Sequence, residues 1–251
     1  MSVSLGDLDL LPAKALFIRS LRAIVFADCH IGLEYAFAES GSYVPPVQYK
    51  MMKRQILGLV REYKPERIII VGDLKHTFSR KTPQEHKEVI DMLRTLKRLG
   101  IETYLVRGNH DNFIVGVLEK YSVHFVRELK MGKYLFIHGH AKPSMDYKDS
   151  SIIMAHIHPT ITFSDSVSRE KFPVFLIGQG KIVLPAFTPL LPGFDVIAGA
   201  IEEDYGSPLI EDFSNFMAYV VIESRRVIPM GKIRELLGIL NSSPQFHCGE
   251  S

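Results

Sequence analysis

Apolar residues along this chain gather in two kinds of run. Leu21 to Ala27, Ile68 to Val71, Tyr104 to Val106, Tyr134 to Ile137 and Ile152 to Ala155 are short, nearly unbroken, and bounded by glycine or polar residues. Runs of this length, rich in Ile, Val and Leu, predict buried strands. Between the first three lie segments with helical spacing. After Pro45-Pro46, the residues Val47, Met51, Met52, Ile56, Leu59, Val60 and Tyr63 recur on one face, and Lys64-Pro65 closes the element. The methionines there read as core filler, because an unbranched thioether fits irregular gaps. A second helix opens with Thr82 as N-cap, Pro83 at the first position and Glu85 completing a capping box. Val89, Leu93, Leu96 and Leu99 share its inner face, and Gly100 ends it. Strand, helix, strand, helix, strand through Val106 predicts βαβ units.

The pattern changes after His158. Thr160 to Phe163, Val174 to Ile177, Lys181 to Leu184 and Met217 to Glu223 predict strands separated by Gly, Pro and acidic loops, including the proline-rich stretch Pro185 to Pro192. Such strands suit an antiparallel layer. Lys232 to Leu240 predicts a short terminal helix, and Asn241 to Ser251 a frayed tail. With 251 residues, 46% of them apolar, the chain can bury one sizeable core, so a single α/β domain over residues 1–251 is expected.

Composition then narrows the setting. A net charge of +2 neither demands nor excludes a nucleic-acid partner. The two cysteines, Cys29 and Cys248, lack CxxC spacing, which argues against a disulfide framework or a structural zinc knuckle and fits a reducing cytoplasm. Asp7 and Asp9 stand where a signal peptide would be basic, and no run reaches the ~18 apolar residues of a membrane span. A cytoplasmic protein with no membrane contact is therefore expected, its oligomeric state open, a homodimer included.

The residues that follow the apolar runs point to chemistry. Asp28-Cys29-His30 follows the first run, Gly72-Asp73 the second, Gly108-Asn109-His110-Asp111 the third, His138-Gly139-His140 the fourth and His156-Ile157-His158 the fifth. Asp-x-His alone recurs by chance, but strand-then-ligand order repeated in this way does not read as a set of independent loops. In open α/β sheets, the crevice beyond the carboxyl ends of the strands gathers such residues. Carboxylates, an amide and imidazoles form the mixed set that suits Mn, Fe, Co, Ni or Zn. Two such ions about 3.5 to 4 Å apart can activate water and clamp phosphoryl oxygens.

Taken in order, Asp28-x-His30, Gly72-Asp73, Gly108-Asn109-His110-Asp111, His138 and His156-x-His158 resemble the calcineurin-like metallophosphoesterase superfamily over roughly Ile24 to Pro159. Ala27 to Glu34 and Gly72 to His76 are similar to its ICC-like, SbcD-related phosphoesterase branch. The resemblance implies two mixed β-sheets packed as a sandwich flanked by helices, with a ligand-bearing part at about 20–160 and a second-sheet and C-terminal part at about 160–240. It implies that Asp28, His30 and His158 hold one divalent ion, that Asp73 bridges, and that Asn109, His138 and His156 hold the other. Manganese leads among Mn, Fe, Ni, Co and Zn. The implied reaction is hydrolysis of phosphate esters by a metal-bridging hydroxide, phosphodiesters being favoured and nucleic acid included among them. His110, oriented by Asp111, would protonate the leaving oxygen or stabilise the transition state. A small-molecule phosphatase, a cyclic-nucleotide phosphodiesterase and a non-catalytic interaction module of the same fold are the alternatives. On chemistry alone His140 could replace His138 as ligand, while His138, directly after its strand, is the better match to the family. Ala155 stands where the family more often has glycine. His76 and His140, with Lys75, Arg80, Lys81 and Arg107, would make a substrate-facing rim; the same charges also fit a solvated loop.

Overall fold

Continuous apolar runs arise where both faces of a strand are covered, and that is the arrangement here. The computed structural model describes residues 1–242 apart from 43, 79–81, 165–166, 192, 203–205 and 223–224. One sheet holds, in spatial order, β1 (Val3–Leu5), β2 (Leu8–Leu11), β3 (Ala15–Ile18), β4 (Ala23–Phe26), β5 (Arg67–Val71), β6 (Glu102–Val106) and β7 (His124–Val126). Pairing is antiparallel from β1 to β4 and parallel from β4 to β7. The parallel crossovers carry α1 (Leu33–Glu39), α2 (Gln48–Tyr63), α3 (Pro83–Arg98) and α4 (Val115–Lys120).

The other sheet is built from β8 (Leu129–Met131), β9 (Tyr134–Phe136), β10 (Ser151–Met154), β11 (Pro159–Ser164), β12 (Arg169–Gly178), β13 (Lys181–Val183), β14 (Phe194–Asp195), β15 (Met217–Ile222) and β16 (Arg226–Lys232). Helices α5 (Val196–Glu202) and α6 (Ile233–Ser242) accompany it. Its spatial order is β14-β11-β12-β13-β10-β9-β8, with β15 on β12 and β16 on β15.

Alternate residues of each strand feed different cores. Ile24, Phe26, Ile68, Ile70 and Leu105 pack under α2 and α3 with Met52, Ile56, Val89 and Leu93. Their neighbours Val25, Ala27, Ile69, Val71 and Val106 face the second sheet and meet Phe136, Ile153, Ala155, Phe175 and Leu184. On the far side of that sheet, Leu135, Ile152, Val174 and Leu176 pack with Val196, Phe213, Ile233 and Leu236. The result is helix, sheet, sheet, helix. Among the described residues no helix is long and apolar enough to cross a membrane.

Several expectations are corrected. The second sheet starts at β8, well before residue 160, because β9 and β10 pair in parallel with each other and β10 pairs in parallel with β13. The later half is thus mixed, not purely antiparallel, and β11 also pairs in parallel with β14. The hairpins β1 to β3, which apolar patterning does not reveal, lengthen the first sheet by turns at Gly6 and Lys14 with positive φ. On α2, Met51 is 51% exposed, while the polar Gln48 is buried. The capping box of α3 forms by half: Thr82 accepts from Glu85 N, but the Glu85 carboxylate accepts instead from Thr77 N at 2.8 Å.

Candidate metal centre

Five of the strands end at one place because the two sheets lie face to face with the carboxyl ends of β4, β5, β6, β9 and β10 adjacent. Backbone bonds fasten the loops there. Asp28 N donates to Gly72 O at 3.1 Å, His30 N to Asp73 O at 2.9 Å, and Ala155 N to His138 O at 2.9 Å. Phe187 N and Thr188 N, from the loop after β13, donate to Ala27 O and Asp28 O. Two glycines allow this crowding. A Cβ on Gly72, whose φ is +85°, would lie 2.1 Å from His138 Nδ1, and one on Gly108 would lie 2.1 Å from Asp73 Oδ1.

The side chains form two triads that contain an aspartate, beside a third cluster made of His30, His76 and His110. Ligand-type atoms of Asp28, His30 and His158 lie within 4.8 Å of one another, as do those of Asp73, His138 and His156. Asp73 Oδ2 stands between them, 3.6 Å from His30 Nε2 and 3.3 Å from His138 Nε2. His138 spends Nδ1 on Val71 O at 3.0 Å, and its Nε2 also lies 3.1 Å from Asn109 Oδ1. His30 Nδ1 meets His76 Nδ1 at 3.3 Å, so its Nε2 turns toward the carboxylates.

The donor set suits divalent ions. Asp28 Oδ1, His30 Nε2 and His158 Nε2 are buried without a hydrogen bond, although such atoms are costly to leave unpaired. All three belong to the first triad. Eleven non-glycine residues among those described have positive φ, and Asp28, His30, Asp73, His156 and His158 are five of them. Strain gathered at one place marks a site held by its surroundings for a task.

Protonation without an ion reflects the same packing. Burial pushes His30 down to about 3 and His156 down to about 4. Burial would also lower His138, but its bond to Asp73 and the charge of Asp28 outweigh that and lift it to about 9. Burial would raise Asp28 and Asp73, yet the neighbouring imidazoles hold both below the ordinary carboxylate value. Two carboxylates are thus balanced by cationic rings in the space where cations fit.

The remaining sequence-derived candidates divide. His110 is half-buried, its N–H donates to Asp73 Oδ1 at 2.9 Å, and its Nδ1 is bonded to His76 O. Asp111 does not orient that ring. Its buried carboxylate accepts from Asp73 N, Leu74 N and Gly108 N, all at 2.9 Å, and so braces the loops after β5 and β6. Burial and the charge of Asp73 raise its carboxyl to about 6. Lys75 is buried, with its ammonium on Thr77 O, so it is no open rim cation. Arg107 is exposed and lines a pocket with Phe78, Asn109, Arg127 and His140. His140 is thus on the rim beside the second triad, and His138 is inside it. Arg80 and Lys81 lie outside the described residues.

Two residues at the centre carry little sequence signal. Phe78, 55% exposed, stands edge-on to His110 with ring centroids 5.9 Å apart. Its one mark is to be a lone aromatic in the polar loop after Gly72-Asp73. Gln48 is buried and donates from Nε2 to His30 O at 2.9 Å and to Thr188 Oγ1 at 2.7 Å, which ties α2 to the site. A glutamine on an otherwise amphipathic helix gives no sign of this.

A profile of the calcineurin-like phosphoesterase family matches residues 21–200. The fold is similar to the crystal structure of Pseudomonas putida nuclease MPE, with a TM-score of 0.67 and 23% identity over 92% of this chain and 99% of that one. E. coli YfcE, a phosphoesterase, aligns over 84% of this chain and 98% of its own with 14% identity and a TM-score of 0.38. A search among curated proteins found no match. Because the matched stretch spans most of the sequence and contains every strand end that builds the centre, this chain belongs to the calcineurin-like phosphoesterase family and is a metal-dependent hydrolase.

Proposed function

We propose that the protein hydrolyses phosphodiesters at a dinuclear centre, with Asp28, His30 and His158 around one divalent ion, Asn109, His138 and His156 around the other, and Asp73 bridging. One observation carries the reading: Asp73 Oδ2 is shared between His30 of one triad and His138 of the other, at 3.6 and 3.3 Å. A carboxylate so placed can serve both positions. Ions held there would supply Lewis acidity to a water nucleophile and to the phosphoryl oxygens. The chain's own residues do the rest. Val71 O and His76 hold the rings of His138 and His30 with Nε2 facing inward. Bonding of His110 Nδ1 to His76 O leaves Nε2 to face the reacting phosphate. Arg107 and Arg127 beside Asn109 supply positive charge to phosphoryl oxygens, while burial and the charge of His138 lower the His140 pKa and leave its ring to act as a neutral hydrogen-bonding group.

Manganese heads the candidate ions on the family resemblance, while the mixed nitrogen and oxygen donors here equally suit Fe, Ni, Co and Zn. A buried, free Cys29 between two ligand residues accords with a reducing cytoplasm. Metal analysis after manganese loading, followed by a panel of p-nitrophenyl phosphate, bis(p-nitrophenyl) phosphate, a cyclic nucleotide and single- and double-stranded DNA, tests the proposal. Two ions per chain and a preference for diesters are expected, and Asp73→Ala should lose the ion pair. A variant that keeps both ions would remove the bridge, and a preference for the monoester would remove the diester reading.

A further inference from the structure

We propose that the groove beside His158 is a second phosphate subsite, which takes the phosphodiester next to the scissile one in a nucleic-acid strand. The inference rests on the phosphodiesterase reading above and names its substrate class. β11 leaves the metal centre directly after His158, and its register sets Thr162 opposite Lys171 and Ser164 opposite Arg169 on β12. Directly opposed residues share a face. The residues between them, Ile161, Phe163 and Phe172, turn the other way and pack into the core behind the sheet. The outer face of this ribbon therefore carries the cations Arg169 and Lys171 on a strand paired with the one that begins at a metal-site histidine, while the Thr162 hydroxyl oxygen is buried without a hydrogen-bond partner.

The facing wall is also built. The β2–β3 turn places Lys14, a buried lysine, with its ammonium 2.6 Å from Thr188 O. Thr188 in turn donates its backbone N–H to Asp28 O, so this wall is anchored on the metal centre. Lys14, Thr162, Lys171, Arg169 and His158 line one groove of about 490 Å³, with Pro159, Pro173 and Pro189 as its apolar surface. That volume is within the range of small-ligand sites.

Spacing identifies the ligand. Lys171 and Arg169 are two positions apart on an extended strand, hence separated by about 7 Å. A phosphomonoester places its one phosphate at the metal centre and leaves Arg169 and Lys171, whose ammonium donates to Gly193 O at 3.3 Å, without an anionic partner. A polynucleotide brings a further negative charge at each repeat. The Arg107–Arg127 pocket of about 310 Å³ adjoins the second triad through Asn109, so cations stand beside both triads. A chain that continues past the scissile phosphate reaches the groove beside His158; a terminal phosphate does not need it.

The test compares wild type with Arg169→Gln/Lys171→Gln, two surface changes whose folding is checked by thermal unfolding. Anisotropy of a labelled short single strand, as DNA and as RNA, on EDTA-treated protein reads binding without turnover. Manganese-supported hydrolysis of the same strands and of bis(p-nitrophenyl) phosphate reads the groove's effect on catalysis. The variant should bind the strand on the order of tenfold more weakly, and its KM for the strand should rise about tenfold more than for the small diester. Its slope of log affinity against log salt should fall by about 0.7, the value for the one phosphate of a single strand that the protein no longer neutralises. An unchanged salt slope, or equal losses on the strand and the small diester, would overturn the groove while leaving the phosphodiesterase reading intact. Wild type that hydrolyses neither would overturn both.

Discussion

His110 is held at two points, by its backbone on Asp73 Oδ1 and by its ring on His76 O, while Phe78 covers one edge. A ring so placed serves chemistry better than coordination, and replacing it should leave the ligands in place. His110→Ala should keep the wild-type metal content and lower turnover by roughly 10²-fold or more, read by metal analysis beside steady-state kinetics. Unchanged turnover would remove the role. Lys14 makes a different residue-scale prediction. Burial lowers its pKa from 10.5 to about 7. Below pH 7 both folded and unfolded chains carry the proton, and the fold bears the full cost of a buried ammonium. Between pH 7 and 10.5 the folded lysine is neutral while the unfolded one is still charged, so the penalty of burying it keeps growing as pH falls from 10.5 to 7, and stability rises with pH there. Lys14→Met should therefore gain most over wild type at pH 6.5, and the gain should shrink at pH 9. Thermal unfolding in EDTA at the two values checks the sign, and a gain that grows with pH would refute it.

At the scale of elements, the centre is a set of strand-to-loop turns whose backbones touch. Gly72 is the tightest of them, with positive φ and no room for a Cβ beside His138 Nδ1. Gly72→Ala should displace that ring and empty the second triad, so metal analysis should return fewer than two ions while far-UV circular dichroism stays native. Two bound ions in that variant would mean that the turn is softer than its geometry. The loop after β5 is held from the opposite end by Glu85 on α3 and from below by Asp111. These acids act on loop backbone, which is why a capping box and a His-Asp pair, both natural inferences from spacing, were half right or wrong. Spacing along the chain says which groups are close in sequence; a carboxylate takes whichever N–H groups the fold brings nearest.

At the scale of the whole molecule, two buried carboxylates and five of the eleven non-glycine residues with positive φ among those described lie where two sheets meet, so ion binding should add stability to the folded state alone. An ion at 100 times its Kd contributes about 2.7 kcal/mol. Manganese should raise Tm above its value in EDTA, and Asp73→Ala should lose most of that rise; equal Tm with and without manganese would count against the site. The sequence by itself determined the strands that carry the ligands, because runs of Ile and Val buried on both faces leave a continuous apolar signature, as Ile68 to Val71 illustrates. It also determined α2, α3 and the order of the Asp, Asn and His motifs. Only the tertiary structure decided that β9 and β10 belong to the opposite sheet from β4, β5 and β6, so that ligand residues meet across a sandwich. It alone placed Lys14 and Gln48 at the centre and drew Lys75 away from the rim. Apolar periodicity records which faces are buried, but not against what; polar residues take their roles from partners distant in sequence, and those partners are set by packing.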